Sequence, residues 1–335
     1  MGGVKLLKRD KSNKTESCFG CHMTVLFDRV VGIYHFLGDR VPKGIPCVEP
    51  KPRRSNPWLR NNQPVVAKIK ATGDIRLAIG QAMASIGNLK QAIGRGDRVF
   101  VKPNFNSPDP FPASTDLAFL QVVIELILEA GAKVTIGESA GAVWRPTRKV
   151  FNQLGVPELA RRLGVELIAF DDRPNDWVQI NINGDYLSKV IMPRSAYEAD
   201  KMVYLPCMKT HTLGAFSGAI KLAFGFVAPG QRRSFHLGHL QEKLAEVNLC
   251  WQPDLIVMDG RKAFVSGGPD RGQLVEPGLV LASGDLVAID VEAMKVLLDY
   301  QASNKIPVNP WELPQVATAL KHGLGVEEGK YIVID

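Results

Sequence analysis

The chain has 335 residues, of which 45% are hydrophobic and 22% are charged, and this composition excludes a disordered or fibrous protein. Five cysteines are too few and too scattered for a disulfide scaffold, and no stretch of about 18 apolar residues predicts a membrane span. The net charge of +7 lies in residues 1–60, which carry 12 Lys and Arg against 5 Asp and Glu, whereas residues 61–335 carry 29 of each.

Residues 1–60 are predicted to form a basic N-terminal extension that ends in a proline-rich linker. Proline fixes φ and lacks a backbone N–H, so the prolines between positions 42 and 57 predict a linker rather than a helix or strand. The arm either contacts an acidic surface or is a solvated leader. Because Asp28 and Arg29 interrupt the apolar stretch 23–38, no signal peptide is predicted and the expected location is cytoplasmic. The neutral remainder lacks the basic stripe of a nucleic-acid-binding domain.

From residue 65 onwards, hydrophobic periodicity predicts alternating strands and helices. In chain order we expect a strand at 65–70, a helix at 74–92, a strand at 98–104, a helix at 116–130, a strand at 133–139, a helix at 146–163, a strand at 165–170, an exposed hairpin around Asn183-Gly184, a strand at 202–206, a helix at 236–249, strands at 254–260 and 279–283, helices at 285–300 and 311–322, and a strand at 331–335. This alternation requires crossover connections, so the predicted fold is α/β, with a mostly parallel sheet flanked by helices. We expect two lobes, residues 61–200 and 201–335, with a cleft between them.

Polar side chains follow four of the predicted strands directly. Open α/β sheets bind ligands at the carboxyl ends of their strands, although loops are polar in any case. These strand-end residues are Lys102 and Asn104, then Glu138 and Ser139, then Cys207, Lys209 and His211, and finally Asp259. The repetition predicts a site for a small anionic molecule at this edge.

The glycine-rich segment 205–227 is the most informative part of the sequence. Ser217 is predicted to cap a helix that begins at Gly218, which places Lys221 in the first turn. A cation there opposes the helix dipole, so Lys221 is predicted to hold an anion or cofactor together with the free N–H groups, or to be a nucleophile with a lowered pKa. The alternative is a surface lysine that extends past an apolar helix.

Three histidines are predicted to converge on this segment. His211 follows a strand, and His236 and His239 lie three residues apart near a helix start. Imidazoles are common metal ligands, and their spacing does not select among nickel, zinc and iron. The alternative is an exposed helix start for His236 and His239, with His211 acting as an acid–base group beside Lys209.

Residues 18–22 match the C-x-x-C-H pattern of covalent haem attachment, in which Cys18 and Cys21 bind the vinyl groups and His22 is the axial ligand. Haem attachment requires export, and no export signal is predicted. A redox thiol pair or a chance pair is therefore the preferred interpretation.

Residues 65 to about 300 resemble the domain-of-unknown-function 362 family. The resemblance is carried by RVFVKPNFN, AGAKVTIGES, MKTHTLGAFSGAIKLAFG, the arginine pair before Phe235-His236, DLIVMDG, GGPDRG and LASGDLVAID. Many members carry a ferredoxin-type segment with four cysteines, which this chain lacks, so the resemblance implies no iron–sulfur cluster here.

A more distant resemblance is to the nickel-pincer lactate racemase family, whose motif of a histidine, a glycine-rich stretch and a lysine is similar to His211, Phe216-Ser217-Gly218 and Lys221. It implies acid–base catalysis by His211, covalent attachment of the pincer cofactor to Lys221, and nickel ligation by His236 or His239. Where that family has a second acid–base histidine, this chain has Glu138 and Ser139.

Together these observations predict an enzyme that acts on a small anionic substrate by acid–base chemistry of the racemase or isomerase type, with a metal or cofactor. The predicted catalytic residues are Glu138, Lys209, His211 and Lys221, and the predicted cofactor-binding residues are Lys102, Asn104, Ser217, Gly218 and Lys221. The alternative is a non-catalytic binding or electron-transfer protein that carries haem or metal on its N-terminal cysteines.

Overall fold

The computed structural model of the chain describes residues 40–141 and 145–335. The predicted haem motif of Cys18, Cys21 and His22, together with most of the basic arm, lies outside the described residues.

The described residues contain fifteen strands. In chain order they are β1 (Cys47–Val48), β2 (Leu59–Arg60), β3 (Gln63–Lys70), β4 (Arg98–Pro103), β5 (Lys133–Glu138), β6 (Glu166–Ala169), β7 (Trp177–Asn181), β8 (Lys189–Pro193), β9 (Lys201–Leu205), β10 (Cys207–His211), β11 (Ala215–Ser217), β12 (Leu255–Gly267), β13 (Gly272–Val275), β14 (Leu279–Ser283) and β15 (Ile332–Ile334). Each of the eight predicted core strands overlaps one of them, and β7 and β8 form the predicted hairpin. The hairpin is not exposed as predicted, because side chains such as Ile180 and Val190 pack into the hydrophobic core.

Ten α-helices connect these strands within the described residues. They are α1 (Ile75–Ile86), α2 (Leu117–Glu129), α3 (Thr147–Leu154), α4 (Val156–Leu163), α5 (Arg194–Tyr197), α6 (Ala219–Leu222), α7 (Pro229–Arg232), α8 (Leu240–Glu246), α9 (Leu286–Leu298) and α10 (Pro314–Lys321). The helix predicted at 146–163 is two helices, because Gly155 adopts a left-handed conformation with φ +81° and separates α3 from α4.

Most strands belong to one twelve-stranded sheet with the main order β15-β3-β14-β12-β9-β4-β5-β6. The run β12-β9-β4-β5-β6 is parallel throughout, whereas β14 is antiparallel to both of its neighbours, β12 and β3. The mostly parallel α/β sheet is therefore confirmed.

The cleft between two lobes is not confirmed. Strands from residues 61–200 pair directly with strands from residues 201–335, since β4 lies beside β9 and β3 lies beside β14. Order along the chain therefore differs from order in the sheet, and both predicted lobes contribute to one sheet. The boundaries at residues 60 and 200 stay predictions.

The sheet is buried on both faces. Along β9, Met202 and Tyr204 pack into one hydrophobic cluster, whereas Val203 and Leu205 pack into another. Successive side chains of a strand point to opposite faces, so this division indicates apolar layers on both sides, as parallel sheets require.

The proline-rich segment is wrongly predicted to be free of regular structure. Its β1 pairs in parallel with β7, and Trp58 is only 1% exposed. The Trp58 indole Nε1 donates a hydrogen bond of 2.7 Å to the carbonyl oxygen of Asp254. Burial of this large apolar side chain outweighs the local preference of the prolines for an irregular linker.

Candidate functional site

A pocket of about 360 Å³ opens at the carboxyl ends of β4 and β5, beside β11 and α6. We call it the strand-end pocket. Its lining combines predicted site residues with others, namely Asn104, Asn106, Glu138, Ser139, Ser217, Lys221, Leu222, Phe224, Gly225 and Arg232.

A buried ion pair forms one wall of the strand-end pocket. Lys102 is fully buried and donates to the Glu138 carboxylate, which also accepts hydrogen bonds from the backbone N–H groups of Phe105 and Ser139. A Cβ at Gly225 would lie 2.3 Å from Glu138 Oε1, so only glycine lets the backbone pass this close. The pair holds the ends of β4 and β5 together, and a catalytic role for Glu138 stays a prediction.

The start of α6 differs from the prediction. Ser217 is the last residue of β11, and its side chain does not cap the helix. Instead, the backbone N–H groups of Ala219 and Ile220 donate to the two carboxylate oxygens of buried Asp290, at 2.6 and 2.9 Å. The predicted Ser217 cap is therefore wrong, and these N–H groups are not available to an anion because Asp290 already binds them.

Gly218 is necessary for this capping arrangement. A Cβ at this position would lie 2.3 Å from Asp290 Oδ1. The glycine therefore lets the backbone approach the Asp290 carboxylate, rather than a bound cofactor as predicted.

Lys221 points its amine into an environment that disfavours positive charge. Burial, followed by the nearby charges of Lys209 and Arg232, lowers the pKa of Lys221 to about 7. Within the described residues its side chain forms no hydrogen bond or ion pair, and Nζ lies 5.9 Å from the centroid of the Phe224 ring. The amine is therefore partly neutral near pH 7 and faces the strand-end pocket.

Two more cations lie close to Lys221. Lys209 is 1% exposed, donates to the carbonyl oxygen of Ala113, and forms no ion pair within the described residues. Burial lowers the pKa of Lys209 as well. Arg232 is also buried and donates to three carbonyl oxygens at 2.9–3.0 Å, those of Ser139, Gly225 and Val227.

The hydrogen bonds of His211 define its chemical role. Its Nδ1 accepts from the backbone N–H groups of Leu213 at 3.1 Å and Gly214 at 3.0 Å. Burial, together with Lys221, Lys209 and His236, lowers the pKa of His211 to about 2, so the ring is neutral at physiological pH. A neutral imidazole has one acceptor nitrogen, so these bonds assign the proton to Nε2, which is then a donor.

His211 and Lys221 lie side by side. A Cβ built on Gly214 would lie 3.7 Å from both His211 Nδ1 and Lys221 Cδ. The structure thus brings a partly neutral lysine amine and an N–H donor to the same side of the pocket.

The predicted three-histidine metal site is not formed in the described part of the chain. The lone pair of His211 Nδ1 accepts two backbone hydrogen bonds, so Nδ1 is not available to a metal. Nε2 carries the ring proton, so it has no lone pair with which to bind a metal. His239 is exposed and stacks on Tyr186 with ring centroids 4.3 Å apart, whereas His236 lies beside Phe224, at 6.5 Å between centroids. These residues do not fit a nickel site.

Two other strand-end residues, Cys207 and Asp259, are not available for chemistry: the first is an unreactive thiol and the second is bound by an arginine. Burial raises the pKa of the Cys207 thiol to about 11, so it is not a thiolate at neutral pH. Asp259 is 1% exposed and accepts hydrogen bonds from the guanidinium of Arg261.

Several pocket residues escaped the sequence analysis. Arg232 belongs to the arginine pair that was used only to recognise the family, and Asn106 lies two residues beyond Asn104. Phe224 follows Lys221 by three residues, where an aromatic side chain is typical of a helix core. The Ser139 hydroxyl, expected only to line the site, is buried and has no hydrogen-bond partner within the described residues.

Comparisons with known proteins agree with the predicted family. A family model described as "Domain of unknown function (DUF362)" matches residues 99–295, more than half of the chain. A protein of Synechocystis sp. described as "Thylakoid-associated protein sll1697" is 25% identical over 287 residues, covering 75% of this chain and 87% of that protein. The predicted resemblance to the domain-of-unknown-function 362 family is confirmed.

The second resemblance is found as a distant structural likeness. The lactate racemase apoprotein from Thermoanaerobacterium thermosaccharolyticum matches with a TM-score of 0.41 and 14% identity over 74% of this chain. The match spans 62% of the length of that racemase chain. Among residues 40–141 and 145–335, no helix is both long and apolar enough to cross a bilayer.

Proposed function

The chain belongs to the DUF362 family, and we propose that it is an enzyme that binds a small organic anion in the strand-end pocket and exchanges a proton with it through Lys221. The observation that carries the proposal is the Lys221 amine, which lines the pocket and has a pKa of about 7. An amine with this pKa accepts and returns a proton at neutral pH without a large penalty in either direction.

The charge of the pocket supports an anionic ligand. The only carboxylate that lines the pocket within the described residues is Glu138, which is paired with Lys102. Lys209 and Lys221 form no ion pair in the described part of the chain, and the Asp270 carboxylate only partly offsets their charge by raising both pKa values. A bound anion would offset the remaining positive charge. Only ten of the described residues line the pocket, and part of its volume is open to solvent, so the ligand is small.

In the proposed reaction, the neutral Lys221 amine takes a proton from the carbon next to a carbonyl or carboxylate group of the ligand. The C–H bond breaks, its electron pair moves towards the ligand oxygen, and Lys221 becomes an ammonium. The Nε2–H of His211 and the charge of Arg232 stabilise the negative charge on that oxygen. The ammonium then returns a proton to the same face of that carbon, so the outcome that Lys221 alone supports is exchange of this proton with solvent, which is the first half of an isomerase-type reaction.

The remaining predictions about partners and location are untested. A contact of the basic arm with an acidic surface and the absence of a nucleic-acid partner stay predictions. The cytoplasmic location also stays a prediction, and its alternative is association with a membrane surface, by analogy with the description of the Synechocystis relative.

The proposal is tested by proton exchange in D₂O. The full chain is incubated with small 2-hydroxy, 2-amino and 2-oxo acids, and ¹H NMR follows the signal of the proton next to the carboxylate or carbonyl. We expect one substrate class to lose this signal, and Lys221→Met to abolish the loss. Lys149→Met, on exposed α3, is the matched control and retains the exchange.

Three results decide the proposal. Exchange that survives Lys221→Met contradicts the role of the amine. Binding of an anion without exchange of any of its protons supports a non-catalytic binding protein and contradicts the enzyme. Absence of both binding and exchange across the panel contradicts the anion site.

A further inference from the structure

A second group of polar side chains meets outside the strand-end pocket. It comprises Asp185 in the loop between β7 and β8, Glu246 at the end of α8, and His322 after α10. One ligand atom from each lies within 4.8 Å of the other two, and this is the one such group of His, Cys, Asp and Glu in the described part of the chain. None of the three lines the strand-end pocket.

We propose that Asp185, Glu246 and His322 bind one divalent transition-metal ion, with Zn²⁺ as the best match. The site is independent of the proposed proton transfer, and it differs from the predicted three-histidine site, with which it shares no residue. One nitrogen and two carboxylate oxygens are a ligand set that zinc accepts, with water in the fourth position.

Two of the three distances between the ligand atoms match those in a tetrahedral zinc site. His322 Nε2 lies 3.4 Å from Asp185 Oδ2 and 3.5 Å from Glu246 Oε1. Ligand atoms bound to zinc at about 2.0–2.2 Å in tetrahedral geometry are separated by about 3.3–3.5 Å. Hydrogen bonds would be shorter, at about 2.7–3.2 Å. Among the described residues, His322 Nε2 is buried and has only these two carboxylate oxygens nearby, both beyond ordinary hydrogen-bond distance. A metal ion between them would bind the Nε2 lone pair when the ring proton is on Nδ1.

The Glu246 carboxylate is held in place before any ion binds. It is fully buried and accepts backbone N–H groups from Asp185 at 2.7 Å, Tyr186 at 3.1 Å and Leu187 at 2.7 Å. A Cβ at Gly184 would lie 2.5 Å from Glu246 Oε2, so the loop between β7 and β8 wraps closely around the carboxylate. Hydrogen bonds of this kind orient metal ligands and raise their affinity.

Charge at the cluster favours a cation. The two carboxylates carry two negative charges, and Lys321 offsets one of them through an ion pair of 2.7 Å with Asp185 Oδ2. The Lys321 side chain is 65% exposed, so it can leave that oxygen when an ion binds. Lys321 and the metal therefore compete for Asp185, and the ion would tie the β7–β8 loop to α8 and α10.

The experiment uses the full chain with Cys18→Ser and Cys21→Ser, so that no N-terminal thiolate binds the probe. Co²⁺ is titrated as the optical probe and then displaced with Zn²⁺. We expect one equivalent of tetrahedral Co²⁺ with visible absorption bands, displacement by Zn²⁺, and a higher melting temperature with Zn²⁺, because an ion that binds only the folded state stabilises it.

Matched variants separate this site from adventitious binding. His322→Gln should weaken Zn²⁺ binding by about 100-fold or more, since even loss of an outer partner costs about 10–100-fold. His239→Gln, which removes an exposed imidazole beside Tyr186, should leave binding unchanged, and Lys321→Ala should tighten it. Asp185→Asn replaces His322→Gln as the test if the latter does not fold.

Equal Zn²⁺ affinity of His322→Gln and His239→Gln would overturn the site, as would octahedral Co²⁺ spectra or no effect of Zn²⁺ on the melting temperature. Loss of Zn²⁺ binding in His322→Gln with unchanged proton exchange would support the metal site. Because Lys221 plays no part in this test, its result is distinct from failure of the proposed function.

Discussion

The charged side chains at the two ends of the neighbouring strands β4 and β9 differ in burial and in pairing. At the amino end, Arg98 binds the Asp200 carboxylate through Nε and Nη2 at 2.9–3.0 Å, and both side chains are exposed. At the carboxyl end, Lys102 is buried against Glu138, and Lys209 is buried with a carbonyl partner only.

This difference separates a structural from a functional use of charge. The exposed pair at the amino end is neutral and needs no further explanation. Burial of an unpaired charge is unfavourable, so the positive excess at the carboxyl end does not arise from selection for stability alone. The proposed anion site would account for it, because the ligand would supply the missing negative charge.

The largest expected effect on stability comes from breaking the buried pair. Glu138→Gln leaves the Lys102 ammonium buried without a counter-ion, so we expect the free energy of unfolding to fall by about 3–5 kcal/mol. The matched change at the amino end, Asp200→Asn, should lower it by less than about 1 kcal/mol, since exposed pairs are screened by water. Urea denaturation of both variants measures the contrast, and similar losses would contradict it.

A smaller effect, of a few kcal/mol, is expected when the free energies of unfolding of Asp290→Asn and the wild type are compared across pH. Burial raises the pKa of Asp290 to about 7, so the folded state binds a proton that the unfolded state has lost from about pH 4 upwards. The stability of the wild type therefore falls between pH 4 and 7. The stability of the variant relative to the wild type should rise over that range and be constant above pH 7.

Asp200 is the control for this experiment, because its carboxylate is expected to change stability with pH in the opposite direction. Arg98 lowers its pKa to about 2, so its contribution is present above about pH 4 and lost as the pH falls below that value. Thermal melts of Asp290→Asn and Asp200→Asn from pH 3.5 to 8 give both curves. A constant difference between Asp290→Asn and the wild type would show that the Asp290 carboxyl has an ordinary pKa.

A change in the opposite direction is expected for Lys221→Met, which should gain about 1–3 kcal/mol in stability at pH 7 while anion binding is lost. The folded-state pKa of Lys221 is lowered, so its penalty is fully present below pH 7 and is relieved as the pH rises towards 10. The difference in stability between Lys221→Met and the wild type should therefore decrease from pH 7 towards pH 10. A variant that is less stable than the wild type at pH 7 would indicate a structural lysine.

The sequence predicted the strands of this fold better than their arrangement. Runs such as 98–104 and 202–206 are apolar and short, so periodicity identifies them as strands. Periodicity contains no information about which strand lies beside which, and β14 is inserted antiparallel between β12 and β3. The two-lobe expectation came from chain order alone, which the pairing of β4 with β9 does not follow.

The candidate site was predictable where residues follow strands directly. Asn104, Glu138 and Ser139 line one pocket because parallel strands end at one edge. The cap of α6 was not predictable, because Asp290 lies 71 residues from Ala219 and no local pattern joins them. An aspartate inside the apolar helix α9 was the available signal, since a buried carboxylate needs partners.

The central claim, that burial and the nearby charges of Lys209 and Arg232 keep Lys221 partly neutral in the pocket, is tested most directly by measuring its pKa. NMR titration of lysine Cε and Nζ signals, assigned with Lys221→Arg, gives this value in the free protein and with a bound anion. The account predicts a pKa of about 7 in the free protein and a higher value with the anion. A pKa near the ordinary lysine value of about 10.4 in the free protein would contradict it.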